Sequence, residues 1–293
     1  MILRLATRPR PAARERGRLL AAQIRGLDPE LELQLVDLPA NPDESFQRLA
    51  EHDPGPTAEM RAALLRGEVE VLIHAARDLP WDAPPGVRLA AVPLREDPRE
   101  CLVSRGGLEF RELPAGARVA VDSPVRAWSL AACRPDVTPV HLAGPLMERL
   151  ERVERGELDG VIVAYAPMRR MGLRARVGEI LRLDRALPAA GQAAAAVEIH
   201  AGERDLGLLL NGLDHLPSRW CVTAEREFEH AALAAGSGAA AAHAVVREME
   251  VHLRGRLEVG GQMVEGSEAR PVQALEGLGE ALAERLLRAR PGP

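Results

Sequence analysis

Short apolar runs alternate with longer amphipathic stretches over the first two-thirds of the chain, which is the spacing of alternating strands and helices. Ile2 to Ala6 reads as a strand, Ala12 to Ile24 as a helix and Leu31 to Val36 as a strand. Thr57 to Leu65 predicts a helix with Thr57 as its cap, and Val69-Glu70-Val71-Leu72-Ile73 predicts a buried strand. Val87 to Val92 and Cys101 to Ser104 come next. They are joined by Arg95-Glu96-Asp97-Pro98-Arg99, a charged segment suited to a crossover. A second alternating set begins with a strand at Arg118 to Val121 and a helix at Pro124 to Ala132, capped by Asp122 or Ser123. It continues with a strand at Val137 to His141, a helix at Pro145 to Arg155 and a strand at Gly160 to Tyr165. Such alternation implies an α/β fold, with mostly parallel sheets covered by helices on both faces.

Leu187-Pro188-Ala189-Ala190-Gly191-Gln192 reads as a second connector, and the strand Ala194 to Ile199 after it can rejoin the first sheet. That gives two lobes joined by two crossovers. The first comprises residues 1–96 and 193–213, the second residues 97–189. From Pro217 the pattern changes to a helix at Ser218 to Ala235, the small-residue loop Gly236-Ser237-Gly238 and an Ala-rich run. Strands at Ala244 to Val251 and Leu253 to Val259 and a helix at Leu275 to Leu287 complete a C-terminal α+β domain over residues 217–293.

Composition narrows the chemistry. Hydrophobic residues make up 46% but aromatics only 2%, so the cores are built from Leu, Val and Ala. A net charge of −5 without a basic block argues against a nucleic-acid partner. Every one of the 38 basic residues is arginine, which excludes Schiff-base and lysine general-base mechanisms. No apolar run reaches the roughly 18 residues of a membrane span. Met1-Ile2-Leu3-Arg4-Leu5 enters a strand with no signal-peptide core. The expectation is a soluble, cytoplasmic, monomeric protein. Cys101, Cys133 and Cys221 are scattered, so neither a disulfide framework nor a zinc site is indicated, and each reads as a small buried residue.

The sharpest candidate site is His74-Ala75-Ala76-Arg77-Asp78-Leu79-Pro80. Arg77 and Asp78 fall in the turn at a strand's carboxyl end, where open α/β sheets place their ligand crevice, and Pro80 closes that turn. The guanidinium fork binds an anion, while the carboxylate stabilises a cation or moves a proton. Arg8, Arg126, Arg149 and Arg170 also lie near strand ends and helix starts, and their convergence would suit a ligand with several carboxylates. Asp122-Ser123-Pro124 makes a good helix start, but Asp122 would itself occupy the positive end where an anion could sit. His74 reads as a packed residue. Gly236-Ser237-Gly238 lacks the strand and lysine of a phosphate loop, and no histidine stands at motif spacing to activate Ser237.

The order of these landmarks resembles the porphobilinogen deaminase (hydroxymethylbilane synthase) family over nearly the whole chain. Arg4-Leu5-Ala6-Thr7-Arg8 is similar to its opening strand. His74 to Pro80 is similar to its His-Ser-Met-Lys-Asp-Val-Pro, with Arg77 for lysine. Leu113-Pro114-Ala115-Gly116, Arg134-Pro135-Asp136, Gly156-Glu157-Leu158-Asp159-Gly160 and Arg169-Arg170-Met171-Gly172-Leu173 also match. So do the two connectors and Val222-Thr223-Ala224-Glu225-Arg226. The resemblance implies two lobes like those of solute-binding proteins and a third domain whose cysteine carries a thioether-linked dipyrromethane. It implies head-to-tail condensation of four porphobilinogens with loss of ammonia, in tetrapyrrole synthesis. By motif position Asp78 would be catalytic. Arg8, Arg77, Arg126, Arg149, Arg170 and Gln192 would bind substrate acetate and propionate groups.

Several positions depart from that pattern. The Gly-Gly-Cys-Gln loop aligns with Ala235-Gly236-Ser237-Gly238, so serine stands where the family has its cofactor cysteine. Gly-Thr-Ser-Ser-Leu-Arg-Arg becomes Val121-Asp122-Ser123-Pro124-Val125-Arg126, one residue shorter and with one arginine. Leu-Arg-Gly-Asn becomes Leu142-Ala143-Gly144-Pro145 and loses another. Asp53-Pro54-Gly55-Pro56-Thr57-Ala58 replaces a lysine-containing loop, and a Thr-Arg-Gly-Asp motif near residue 38 is not recognisable. The expectation is therefore no covalent dipyrromethane on Ser237 and a small anionic or pyrrolic ligand. That ligand is either condensed with the help of Asp78 or bound between the lobes without polymerisation.

Overall fold

Residues 2–38 and 57–289 of the 293-residue chain are described in the computed structural model. The first lobe is built from β1 (Ile2–Thr7), α1 (Pro11–Leu27), β2 (Glu32–Asp37), α2 (Ala58–Leu65), β3 (Val71–Ala75) and β4 (Val87–Ala91). The second holds β5 (Glu100–Ser104), β6 (Arg118–Val121), α3 (Pro124–Cys133), β7 (Thr138–His141) and α4 (Leu146–Glu154). It ends with β8 (Gly160–Ala164), α5 (Tyr165–Arg170) and β9 (Glu179–Ile180). The chain then returns to the first lobe as β10 (Ala195–His200) and α6 (Arg204–Leu210). The third domain comprises α7 (Leu216–Ala234), β11 (Ala240–Arg247), β12 (Glu250–Val259), β13 (Gln262–Pro271) and α8 (Leu278–Arg288).

The lobe sheets have strand orders β2-β1-β3-β10-β4 and β7-β6-β8-β5-β9. Each is evenly mixed rather than mostly parallel. β1 is parallel to β2 and β3, while β10 is antiparallel to β3 and β4. β6 is parallel to β7 and β8, while β5 is antiparallel to β8 and β9. The reason lies in the crossovers. A strand arriving from the other lobe enters at the carboxyl ends of the resident strands, so it runs against them. Alternate residues of these strands face opposite sides. In the second lobe Leu102, Val119, Val121 and Ile162 pack with Leu130 on one face, while Cys101, Val103, Val161 and Val163 pack with Leu150 and Met168 on the other. In the first, Leu3, Leu5, Val71, Ile73, Val197 and Ile199 enclose Leu20 and Ile24 of α1.

Two helix starts resolve differently from their sequence signals. Ser123, not Asp122, caps α3: its Oγ accepts from the Arg126 amide at 3.3 Å, with Pro124 in the first turn. Thr57 makes no capping bond, because its own backbone (φ −104°, ψ −12°) is already helical and turns the side chain away from the capping geometry.

The third domain departs most from expectation. The run Ala244 to Val251 is not one strand. Glu248 and Met249, at φ 49° and 63°, make a two-residue hairpin that separates β11 from β12. Left-handed φ at both central residues is the type I′ geometry that matches strand twist. The Ala-rich run belongs to β11. A third strand, β13, comes after a second such turn at Gly260-Gly261, and its polar sequence carried no apolar run to announce it. Helix α8 begins at Leu278 rather than Leu275, after Gly277. Helices α7 and α8 cross so closely that a Cβ on Gly279 would lie 2.2 Å from the Ala224 carbonyl oxygen and 2.4 Å from the Phe228 nitrogen.

One buried carboxylate ties this domain to both crossovers. Glu225 on α7, fully buried, accepts from Arg95 Nη1 and Nη2 at 2.5 and 2.9 Å, from the Gly191 amide at 2.8 Å and from the Ala244 amide at 2.7 Å. Arg95 Nε donates to the Gln192 carbonyl at 2.8 Å. The Glu225 carboxylate thus has every charge and lone pair matched, as burial of an ion requires.

Candidate active site in the interlobe cleft

β3 ends in a 3₁₀ turn, Ala76–Asp78, whose first amide donates to the Ala194 carbonyl of the second crossover at 2.9 Å. Gly191, at φ +67°, lets that crossover approach: a Cβ there would stand 3.1 Å from the Arg77 nitrogen. The turn therefore projects Arg77 and Asp78 from the carboxyl end of β3, where the two crossovers meet. Asp78 Oδ2 lies 3.1 Å from Arg8 Nη1, at the end of β1, and Oδ1 lies 3.6 Å from Arg77 Nε. Both Arg8 and Asp78 are largely sheltered.

Gln192 connects this turn to the other lobe. Its buried Oε1 accepts from Arg77 Nη1 and from Arg126 Nη2, each at 3.4 Å, while its Nε2 donates to the Pro98 carbonyl at 2.8 Å. Arg126, at the start of α3, donates from Nε and Nη2 to Glu100 Oε1 and Oε2 at 3.0 and 2.9 Å, and from Nη1 to Asp122. Arg149 on α4 donates from Nη1 to the other oxygen of Asp122 at 2.7 Å. Burial alone would raise the Asp122 carboxyl, but Arg126 and Arg149 hold it well below the usual carboxylate range. Burial lowers Arg126 less than Asp122 and Glu100 raise it. For Arg149 burial prevails over Asp122, and its pKa falls.

Arg170, nearly inaccessible at the end of α5, donates from Nη1 to Glu96 of the first crossover, and Arg169 reaches the same carboxylate at 3.2 Å. Arg170 Nε and Nη2 are buried with no hydrogen-bond partner among the described residues. Helix α1 packs on α5 here and brings in Arg16, a residue the sequence reading missed. Burial and the like charge of Arg170 push Arg16 down to about 9, against the pull of Asp78 and Glu96. Arg16 flanks the buried stripe Gly17, Leu20 and Ile24 of α1, and that position was the available signal. Glu96, Glu100 and Glu225 were also missed, because their roles depend on partners distant in sequence.

Arg8, Arg77, Asp78, Arg126, Arg149 and Gln192 thus form one connected polar network, and Arg170 with Glu96 joins its field through Arg16. Ser237 stands apart. It is buried in the third domain, where its Oγ donates to the Ala239 carbonyl at 2.8 Å and accepts from the Glu258 amide at 3.2 Å. His74 is packed in the first lobe, Nε2 3.2 Å from Glu198, which forms a bidentate pair with Arg61. Burial pushes the Cys101 and Cys221 thiols up to about 12. Among the described residues no cluster could hold a metal ion, and no helix is long and apolar enough to cross a membrane. Asp53 to Pro56 lie outside the described residues.

The family model described as "Porphobilinogen deaminase, dipyromethane cofactor binding domain" matches residues 3–207. A porphobilinogen deaminase of Xylella fastidiosa (strain 9a5c) is 38% identical over 233 residues, covering 78% of this chain and 76% of the relative. One from Syntrophus aciditrophicus (strain SB) is 35% identical over 293 residues, covering 97% and 95%. Among solved structures, the VFT2 domain of Bordetella pertussis BvgS aligns with a TM-score of 0.41 at 15% identity, over 72% of this chain and 86% of that one. With a family match across both lobes and similarity running on through the third domain, the chain belongs to the porphobilinogen deaminase family.

Proposed function

We propose that this protein removes ammonia from a porphobilinogen-type aminomethylpyrrole in the interlobe cleft and condenses the product with further pyrroles in tetrapyrrole synthesis. The substrate is held by non-covalent contacts alone. The observation that carries this reading is the Asp78 carboxylate, fixed at the end of β3 between Arg8 and Arg77 and sheltered from solvent. In the reaction the carbon–nitrogen bond of the protonated aminomethyl group breaks and ammonia leaves with the bonding pair. The pyrrole is left with an exocyclic methylene and a positive charge on its ring. Asp78 stabilises that cation, and in a sheltered site such a contact is worth far more than in water. The α-carbon of the next pyrrole forms the new carbon–carbon bond and releases its ring proton, for which Asp78 is the nearest carboxylate of the turn. The guanidinium groups of Arg8, Arg77 and Arg170 orient the substrate carboxylates.

The residues present do not fit a thioether-linked dipyrromethane. The loop position offers the Ser237 hydroxyl, whose two hydrogen bonds tie it to its own hairpin. A hydroxyl also lacks the thiolate population that makes cysteine nucleophilic near neutral pH. No step of the reaction is therefore assigned to that group.

A second reading, binding of a small anionic or pyrrolic ligand without condensation, draws support from the internal pairing of Arg126 and Arg149 with Asp122. Ammonia release on incubation with porphobilinogen separates the two. Condensation predicts multiple turnovers, abolished by Asp78→Asn, with porphyrin appearing after oxidation. Saturable binding with no ammonia would establish the second reading instead.

A further inference from the structure

Asp122 is an acidic residue of the cleft that the reaction above does not use. It sits between β6 and α3, at the carboxyl end of a second-lobe strand, the counterpart of the place Arg8 takes after β1 in the first lobe. Its carboxylate is nearly buried and is gripped from two elements: Arg126 of α3 reaches one oxygen and Arg149 of α4 the other, at 2.7 Å. The far side of Arg126 is already saturated by the bidentate Glu100. Two guanidinium groups therefore face two carboxylates, and this corner of the cleft carries no net charge. Both carboxylates belong to the chain, and Asp122 fills the gap between the two guanidinium groups where an external carboxylate could otherwise sit. Arg149 also retains a buried Nε with no partner among the described residues, a donor aimed at no protein acceptor. Arg126 also reaches Gln192 Oε1, which accepts from Arg77 of the first lobe as well, so its pair with Asp122 lies where the two lobes meet.

We propose that Asp122 is a built-in carboxylate that takes, between Arg126 and Arg149, the place of one ligand carboxylate, so that the cleft selects a less anionic ligand. The proposal rests on the reading that the ligand lies in this cleft, but it concerns a pocket whose occupancy can be measured without any pyrrole. Removing the side chain in Asp122→Ser should leave a vacant pocket for a small carboxylate, with two donors already in position. Acetate is the probe, and sodium chloride at equal ionic strength is the control. Acetate about tenfold above its dissociation constant should raise the melting midpoint of Asp122→Ser by roughly 2–4 °C and leave the unsubstituted protein unmoved.

The double variant Asp122→Ser, Arg149→Met removes one of the two donors and should lose the response. If Asp122→Ser folds only when acetate is present, the proposal is equally supported. An Asp122→Ser protein that is folded yet indifferent to acetate, or that stays unfolded in acetate, overturns it. So does a double variant that keeps the full shift. None of these outcomes depends on porphobilinogen turnover, so failure of the deaminase reading would leave this result standing on its own.

Discussion

Asp78 is flanked by Arg8 and Arg77, and in a chain without lysine the cations of this cleft are guanidinium groups. Arg170→Ala removes a charge-assisted contact, and it should weaken porphobilinogen binding in calorimetry by about 1.5–3 kcal/mol. Arg126→Ala should behave differently. Its guanidinium is consumed by Glu100 and Asp122, so the change strands the buried Glu100 and leaves Asp122 to Arg149 alone, and thermal stability should fall before affinity does. Equal loss of affinity in both variants, with stability intact, would show that Arg126 faces the ligand. The sequence made Arg77 and Asp78 legible because a strand end and a proline bracket them within a few residues. The partners of Arg126 were not legible. Glu100 is 26 residues away, and which of many carboxylates meets a given arginine is decided by sheet order.

At the level of strands and helices, the lobes were readable because their apolar runs are short, buried and separated by helices. The third domain was less so. β13 is polar along its length, and the hairpin at Glu248-Met249 uses neither glycine nor asparagine, so both ordinary signals are missing. Close packing of α7 on α8 gives a direct test. Gly279→Ala places a methyl group against the backbone of Ala224 and Phe228, which cannot yield without separating the helices. Overpacking of this kind costs about 1–3 kcal/mol, read as a lower melting midpoint. A midpoint that stays put would mean the helices are free to part.

A second test at this level is pH. Glu198 of β10 is buried, which would raise its carboxyl, but His74 and the bidentate Arg61 hold it at about 2 against an ordinary 4.5. A carboxyl depressed in the folded state contributes stability that is complete above its unfolded value and is lost as pH falls towards the folded one. Unfolding free energy should therefore decline between about pH 4.5 and 2, and Glu198→Gln should flatten that slope. An unchanged slope would detach the pair from acid stability.

Across the whole molecule, the two crossovers do three things at once. They set the antiparallel strands β5 and β10, carry Glu96 and Gln192 into the cleft, and receive Glu225 from the third domain. Two crossovers were legible from a charged run and a Pro-Gly connector. The clamp by Glu225 was not, since nothing in Val222 to Arg226 says which loop it meets. The same domain places Ser237 where the resemblance would have a cysteine, and it turns that hydroxyl inward to Ala239 and Glu258. The proposed function therefore requires turnover without a covalent anchor, unlike the pattern the sequence resembles. Intact-protein mass spectrometry, before and after exposure to porphobilinogen, tests this most directly. The expected result is the bare chain of 31.7 kDa in both samples. A stable increment of two linked pyrroles on the protein would contradict it and restore an anchored mechanism.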